Sequence, residues 1–228
     1  MTEVEVLCDL RSQFGGARDQ DQRPTCLAFA ASDAHASLRT PWSPLSVEFA
    51  FYHAQRRACP SPHVGATLSA MLDALREDGQ PVEEAWPYLA AIPAVESEWK
   101  PMSGIEPLYR RDGRIGGDTV GEIIPWLDKA RPVLVLLMLS AAFDFVGKSG
   151  IIDQVPGEKP VSNRRHAVIA VGHGLIRAGR ALLVRNSWGE DWGNQGYAWA
   201  TEAYLNSRIF RIGILTEDVN VPSSAAAA

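Results

Sequence analysis

The segment from Asn186 to Trp199 reads NSWGEDWGNQGYAW and constrains the chain more than any other feature. The side-chain carbonyl of Asn186 can accept a hydrogen bond from an imidazole N–H group. The indole rings of Trp188 and Trp192 can cover that bond and keep water away from it. A shielded Asn–His pair is what orients the histidine beside a cysteine nucleophile. The segment therefore predicts a cysteine near the start of the chain and a histidine between the two.

Both expected residues are present. Cys26 lies near the N-terminus in QDQRPTCLAFA, and His166 lies in RRHAVIAVGHG. A thiol is mostly protonated at neutral pH, because the pKa of free cysteine is about 8.5. Two features favour the thiolate of Cys26, namely its place at the start of a predicted helix and pairing with a charged His166. An inert buried thiol is the alternative for a cysteine without these partners.

With these motifs in this order, the chain resembles the papain family (C1-type) of cysteine peptidases, in the short form found in bacteria. The Cys26–His166 separation of about 140 residues agrees with the roughly 130–150 residues typical of that family. Asn186 is slightly further from Cys26 than this range, and we expect an extended turn over 174–180 to contain the additional residues. Other matching segments are DLRSQFGGARDQDQRPTCLAFAAS, LSVEFAFYHAQ and VGATLSAMLDALREDGQPVEEAWPY.

The resemblance implies a role for each matching residue. Cys26 is the expected nucleophile, His166 exchanges its proton, and Asn186 fixes the tautomer and orientation of the imidazole. Gln20 stands six residues before Cys26, as the glutamine of the family's oxyanion hole does. Its amide N–H and the Cys26 backbone N–H are expected to stabilise the oxyanion. Gln22 is a rival on spacing alone.

A second group of residues is expected to contact the substrate. Gly65, Ala66 and Thr67 match the segment whose backbone pairs with an extended peptide, and a glycine allows another backbone to approach closely. Arg164 lies two residues before the histidine, so in a strand it faces the same side. Its charge would favour an acidic substrate residue, and a solvated surface arginine is the alternative. Trp188 is assigned to the same group.

The chain departs from the family pattern beside the nucleophile. The family signature is C-G-[SA]-C-[WY], whereas Arg23 stands at the first cysteine and Leu27 at the aromatic position. The usual disulfide is therefore not expected, and Cys8 and Cys59 are interpreted as reduced thiols. Reduced cysteines favour a reducing compartment.

The two halves of the chain differ in hydrophobic periodicity, which predicts an α+β protein. Helices are expected over 26–39, 45–55, 67–78 and 119–130, and strands over 133–139, 167–171, 181–185, 197–201 and 209–215. The resemblance implies a papain-like two-lobe fold in a single catalytic domain over 1–222. A helical lobe (about 11–105) carries the Cys. An antiparallel sheet or barrel (about 106–219, with the N-terminal strand) carries the His and Asn. A disordered tail is expected over 223–228.

Composition excludes several other classes. The net charge of −5 and the absence of a long basic run argue against a nucleic-acid partner. The longest strongly apolar stretch, Val133–Leu139, is far shorter than the ~20 residues of a membrane span. No Cys/His spacing suggests a metal site, and no cofactor is expected. The N-terminus has no apolar leader, which predicts a cytoplasmic protein or an effector delivered without a cleaved signal peptide.

The sequence therefore predicts a cysteine endopeptidase that acts on protein or peptide substrates through an acyl-thioester. The Cys segment begins so near Met1 that we expect no propeptide. Restraint would then come from narrow specificity or from a separate inhibitor or immunity protein. Two alternatives stay open. The same site can serve a transpeptidase, isopeptidase or deamidase, including a toxin or effector, or the chain can be a catalytically dead peptide-binding module.

Overall fold

The computed structural model describes residues 4–58, 61–93, 95–146 and 149–219. The expected tail over 223–228 and Cys59 lie outside these ranges. Cys8 and Cys26 are both free thiols. The described residues form helices and one large sheet, so the α+β class is confirmed. The boundary between two lobes near residues 105–106 stays a prediction.

Three helices form early in the chain, where apolar residues recur at helical spacing. They are α1 (Cys26–Ser37), α2 (Val47–Ala58) and α3 (Leu68–Glu77). The hydroxyl of Ser46 accepts a hydrogen bond from the Phe49 backbone N–H, and that of Thr67 accepts one from Ala70, so both side chains cap helix starts. α3 is followed by Gly79, whose φ of +77° reverses the chain direction. No helix of the described residues is long and apolar enough to cross a membrane.

The start of α1 has no capping side chain. Thr25 occupies the N-cap position, but its hydroxyl pairs with the Tyr88 hydroxyl at 2.9 Å and makes no cap hydrogen bond. The backbone N–H groups at this helix start are therefore not satisfied by a capping side chain, and Cys26 is the first residue of the helix. Every residue from Leu27 to Ser37 is buried, which makes α1 the central helix.

Eight strands of the described residues form one sheet. They are β1 (Val4–Asp9), β2 (Arg111–Ile115), β3 (Val133–Met138), β4 (Ile151–Ile152), β5 (Arg165–Ile176), β6 (Gly179–Arg185), β7 (Tyr197–Thr201) and β8 (Ile209–Asp218). The order is β2-β8-β3-β5-β6-β7-β4, and β1 also pairs with β5. Only the β4–β7 pair is parallel in this sheet. Three further helices lie between strands: α4 (Val120–Leu127), α5 (Ala141–Asp144) and α6 (Glu202–Leu205).

The expected extended turn over 174–180 is wrong. β5 and β6 continue through that range and are joined by Arg177 and Ala178 alone, with φ values of 49° and 64°. Two consecutive positive φ values are typical of the tight hairpin turn that matches the twist of the strands. The extra residues between His166 and Asn186 therefore lengthen the strands rather than the turn.

β5 is the strand to which most of the sheet is attached. Its first half pairs with β3 and its second half with β1, while β6 pairs along the other edge. The backbone of β1 approaches so closely that a Cβ atom on Gly172 would lie 2.4 Å from the Cys8 carbonyl oxygen. A Cβ atom on Gly174 would lie 2.3 Å from that of Glu5. Packing therefore requires glycine at these two positions of the segment that follows His166.

One continuous apolar core joins the helices to the sheet, and α1 packs directly against β5 and β3. This packing brings the first residue of α1 to the beginning of β5. Cys26 and His166, which are distant in sequence, therefore line the same cavity.

Gly174→Ala should lower the free energy of unfolding by about 1–3 kcal/mol, because the new methyl group must displace the β1 backbone. Urea denaturation at an unchanged m-value measures this loss. Gly121→Ala is the matched control, since its Cβ would have no neighbour closer than 3.7 Å and the residue lies in α4. An unchanged midpoint for Gly174→Ala would show that β1 is not held against β5 in this way.

Candidate active site

A cavity of about 870 Å³ opens between the start of α1, the loop before α3 and strands β3, β5 and β8. Eight of the nine site residues expected from the sequence line it: Gln20, Cys26, Gly65, Ala66, Thr67, Arg164, His166 and Trp188. The ninth, Asn186, is buried behind the histidine and bonds to its ring. The fold thus gathers the whole set at one cleft.

A hydrogen bond to a buried amide orients the imidazole of His166. Its Nε2 lies 2.7 Å from Asn186 Oδ1, and both residues are buried. The backbone N–H of Ser187 donates to the same oxygen at 2.9 Å. With two donors on Oδ1, the amide has a fixed orientation and His166 Nε2 carries the hydrogen. Nδ1 is then the ring nitrogen free to take a proton from a thiol.

An aromatic cluster covers this hydrogen bond. Trp188 packs on the His166 ring with a centroid separation of 4.9 Å, and Phe143 meets the same ring edge-on at 5.8 Å. Trp192 packs against Phe143 and Trp188, and its Nε1–H donates to the Phe143 carbonyl at 3.1 Å. Sequence reasoning missed Phe143, because it lies in α5, which is only four residues long.

Two opposing effects act on the pKa of the Cys26 thiol. Burial raises the pKa of the Cys26 thiol, while the backbone N–H groups of Ala167, Leu27 and Cys26 itself act to lower it. Two of these groups belong to the start of α1, where N–H groups lack intrahelical partners. The predicted stabilisation of the thiolate by the helix start is therefore present, but burial outweighs it in the pKa of the isolated group.

Burial acts in the same sense on the histidine. It lowers the pKa of His166 to about 4, and the hydrogen bond to Asn186 opposes this shift. The neutral forms of both groups are thus favoured when each is considered alone. Proton transfer from Cys26 to His166 creates both charges together, and each charge then stabilises the other in a low dielectric. The arrangement suits a proton that moves when the substrate arrives.

Gln20 is fixed by both ends of its side-chain amide. Its Oε1 accepts a hydrogen bond from the Ser187 hydroxyl at 2.7 Å, and its Nε2 donates to the Arg23 carbonyl at 2.9 Å. An amide NH₂ has two hydrogens, so a second one remains to donate. Gln20 and Cys26 line the same cavity, so this second hydrogen can be donated to a group bound there.

Three charged side chains connect the segments that carry these groups: Asp33 and Arg185 are buried, and Arg18 is half-buried. Asp33 of α1 accepts hydrogen bonds from the guanidinium of Arg185 at 2.9 and 3.0 Å and from that of Arg18 at 2.8 Å. Arg185 immediately precedes Asn186, and Arg18 lies two residues before Gln20. Nothing in the sequence pattern marked these residues, because charged residues are more often exposed.

Arg23 occupies the position of the family's first cysteine and is itself buried. Its guanidinium makes a double hydrogen bond to the Glu48 carboxylate, at 2.6 and 2.9 Å, and donates to the Leu89 carbonyl. Trp99 Nε1–H also donates to Glu48. The Arg23–Glu48 ion pair links the segment before Cys26 to α2. The disulfide usual for the family was not expected at this position.

The residues expected to contact substrate have distinct environments. A Cβ atom on Gly65 would meet only the Pro24 carbonyl oxygen, at 3.6 Å. Packing does not require glycine there, so any close approach at Gly65 must come from an occupant of the cleft. Arg164 lies just before β5 and forms a double hydrogen bond with Asp144, at 2.7 and 2.9 Å. Its charge is therefore largely matched within the protein.

No group of three or more His, Cys, Asp or Glu side chains in the described ranges is arranged to hold a metal ion. The chemistry that the cleft offers is nucleophilic and acid–base chemistry from its own side chains. Cys26 supplies the sulfur, His166 a base, and Gln20 a fixed donor.

A family model described as papain family cysteine protease matches residues 7–209. The oryzain gamma chain of Oryza sativa subsp. japonica is 31% identical over 120 residues, which is 52% of this chain and 32% of that protein. The curated relatives are longer proteins: the matches span between 11% and 32% of their lengths.

Two solved structures share the fold. Xylellain, a cysteine protease from Xylella fastidiosa, superposes with a TM-score of 0.69 at 19% identity and covers 93% of this chain and 86% of that one. The bromelain protease from Ananas comosus, solved in complex with the E64 inhibitor, superposes with a TM-score of 0.69 at 21% identity. That match covers 91% of this chain and 97% of bromelain.

The Asn186–His166 hydrogen bond predicts a specific pH profile. kcat/KM for a peptide substrate should fall with a midpoint near pH 4, because protonated His166 cannot accept the thiol proton. Asn186→Ala removes a bond that raises the pKa of His166, so this acid limb should move to lower pH. The plateau should also fall by up to about 100-fold as the ring loses its orientation. Asn206→Ala, at the end of α6, is the control; an unmoved acid limb in Asn186→Ala would contradict the role of Asn186.

Proposed function

Since the chain belongs to the papain family of cysteine proteases, we propose that it is a cysteine endopeptidase that hydrolyses peptide bonds through an acyl-thioester on Cys26. The observation that carries this proposal is the cleft in which Cys26 starts a helix beside His166, whose far nitrogen is held by buried Asn186. This arrangement supports the three roles of nucleophilic catalysis: a nucleophile, a base and a residue that orients the base.

The first half of the reaction forms the thioester. His166 Nδ1 takes the proton of the Cys26 thiol, and the sulfur attacks the carbonyl carbon of the scissile bond. The resulting oxyanion accepts hydrogen bonds from Gln20 Nε2–H and from the Cys26 backbone N–H. When the intermediate collapses, the C–N bond breaks and the imidazolium returns its proton to the departing amine.

The second half releases the acyl group to water. His166 takes a proton from the attacking water, and the new oxyanion uses the same two donors. Collapse breaks the C–S bond, frees a carboxylic acid and returns the proton to the sulfur. The aromatic cover of Trp188 and Phe143 keeps competing water from the His166–Asn186 hydrogen bond throughout.

The shape of the cleft supports a protein or peptide substrate. The segment Gly65, Ala66 and Thr67 lines it, and there is no side-chain bulk at Gly65. An extended peptide can pair with the backbone of such a wall. The same surface is available to a proteinaceous inhibitor.

Two substitutions test this mechanism on a quenched fluorescent peptide library. Cys26→Ala should abolish hydrolysis and leave the melting temperature nearly unchanged, because the sulfur is the nucleophile and little packing is lost. Gln20→Ala should lower kcat more than it raises KM, by roughly 100- to 1000-fold, since its donor acts on the oxyanion of the transition state.

Mass spectrometry of the products separates the alternatives. Free carboxylic acid termini identify hydrolysis, adducts with an added amine identify acyl transfer, and a gain of one mass unit at a glutamine identifies deamidation. Hydrolysis that survives Cys26→Ala, or a Gln20→Ala effect confined to KM, would refute the assigned roles.

A further inference from the structure

The cleft carries positive charge although the whole chain is acidic. Of the described residues that line it, three are arginines (Arg164, Arg165 and Arg211) and none is an aspartate or glutamate. The chain as a whole has a net charge of −5. A cleft lined by charges of one sign concentrates oppositely charged ligands. The positive charge is therefore a local property of the site.

The three arginines are not equivalent. Arg164 is paired with Asp144 through two hydrogen bonds, which largely neutralises it. Arg165 and Arg211 are exposed and form no ion pair with a carboxylate among the residues that the structure describes. The Arg165 guanidinium lies over the Phe210 ring, 5.5 Å from its centroid, which holds the charge at the rim of the cleft.

Strand register places these two arginines on the same face of the sheet as an apolar floor. Ala167 of β5, Leu136 of β3 and Arg211 of β8 lie directly opposite one another across the sheet. Residues directly opposite share a face, so Arg211 lies about 10 Å from Ala167 at the Cα positions. Arg165 lies two residues before Ala167 and so projects from the same face. Leu68 and Ile115 complete the apolar lining.

We propose that the cleft selects peptides in which an acidic side chain neighbours an apolar one near the scissile bond, with Arg165 and Arg211 determining the acidic preference. The inference rests on the proposed peptidase function and names its substrate class. The apolar side chain covers Leu136 and Ala167. The neighbouring carboxylate reaches one of the two unneutralised guanidinium groups, while Arg164 stays occupied by Asp144.

The test uses covalent labelling, so that it does not depend on turnover. Three peptidyl epoxides are prepared that share a leucine and differ only in its neighbouring residue, which is Glu, Gln or Lys. The second-order rate of Cys26 labelling is measured for each at low and high salt by intact-mass analysis. The Glu probe should react at least about fivefold faster than the Lys probe at low salt. The ratio should shrink at high salt, because exposed charges are screened.

Variants assign the preference to residues. Arg165→Gln and Arg211→Gln should each lower the Glu-to-Lys rate ratio, and the double variant should bring it close to one. Arg211→Glu should invert the preference near that residue. Lys129→Glu makes the same change of charge at an exposed lysine that does not line the cleft and should leave the ratio unchanged. Asp144→Asn should raise the ratio, because it frees Arg164.

The outcomes distinguish the inference from the function on which it rests. A ratio near one for the unmodified protein, or a ratio that survives in the double variant, overturns the inference. Labelling of Cys26 with the predicted ratio but without hydrolysis of any peptide overturns the proposed endopeptidase and leaves the acidic preference standing. An equal effect of Lys129→Glu would show that only overall charge is sensed, and this also overturns the assignment to Arg165 and Arg211.

Discussion

One buried carboxylate holds the site together. Asp33 lies on α1, the helix that Cys26 begins, and it binds two guanidinium groups at once. Arg18 attaches the segment before Gln20 to this helix, and Arg185 attaches the end of β6, next to Asn186. Arg185 also donates to the Gly15 and Gly16 carbonyls, so it fixes the same N-terminal segment a second time.

The energetics of such a network explain why it defines a geometry. A buried charge that loses one partner costs about 3–5 kcal/mol, because the remaining charge is left without solvent. Displacing α1 would therefore leave the buried guanidinium of Arg185 without the carboxylate of Asp33. The segments that carry Gln20, Cys26 and Asn186 are thus held together by ion pairs that involve none of these three side chains. The ion pair of Arg23 and Glu48 links the segment before Cys26 to α2 in the same way.

Much of this site could be predicted from the sequence, since the motifs around Cys26, His166 and Asn186 are local strings with a required spacing. The family and the α+β fold are confirmed, while the catalytic roles of these residues stay predictions. The tight turn at Arg177 and Ala178 was missed because neither residue is a glycine or asparagine, the residues that usually mark such a turn. Phe143 and Asp33 were missed because their roles depend on distant partners. The ion pair of Arg164 with Asp144 also depends on folding, because the two residues are distant in the sequence. Since this pair neutralises Arg164, we assign the expected contact with an acidic substrate residue to Arg165 and Arg211.

His166 is proposed to activate Cys26, although burial by itself raises the pKa of the Cys26 thiol and keeps it protonated. Cys8 is an internal reference, because burial raises the pKa of its thiol as well and its sulfur donates to the Leu127 carbonyl at 3.4 Å. The measurement is peptide mapping after brief treatment with a thiol-directed epoxide at pH 6. A thiol with a pKa above 9 is then only about one thousandth ionised or less. If His166 activates Cys26, Cys26 should be labelled at least about 100-fold faster than Cys8, and this rapid labelling should be lost in His166→Ala. Equal slow labelling of both cysteines, or labelling of Cys26 that persists without His166, would contradict it.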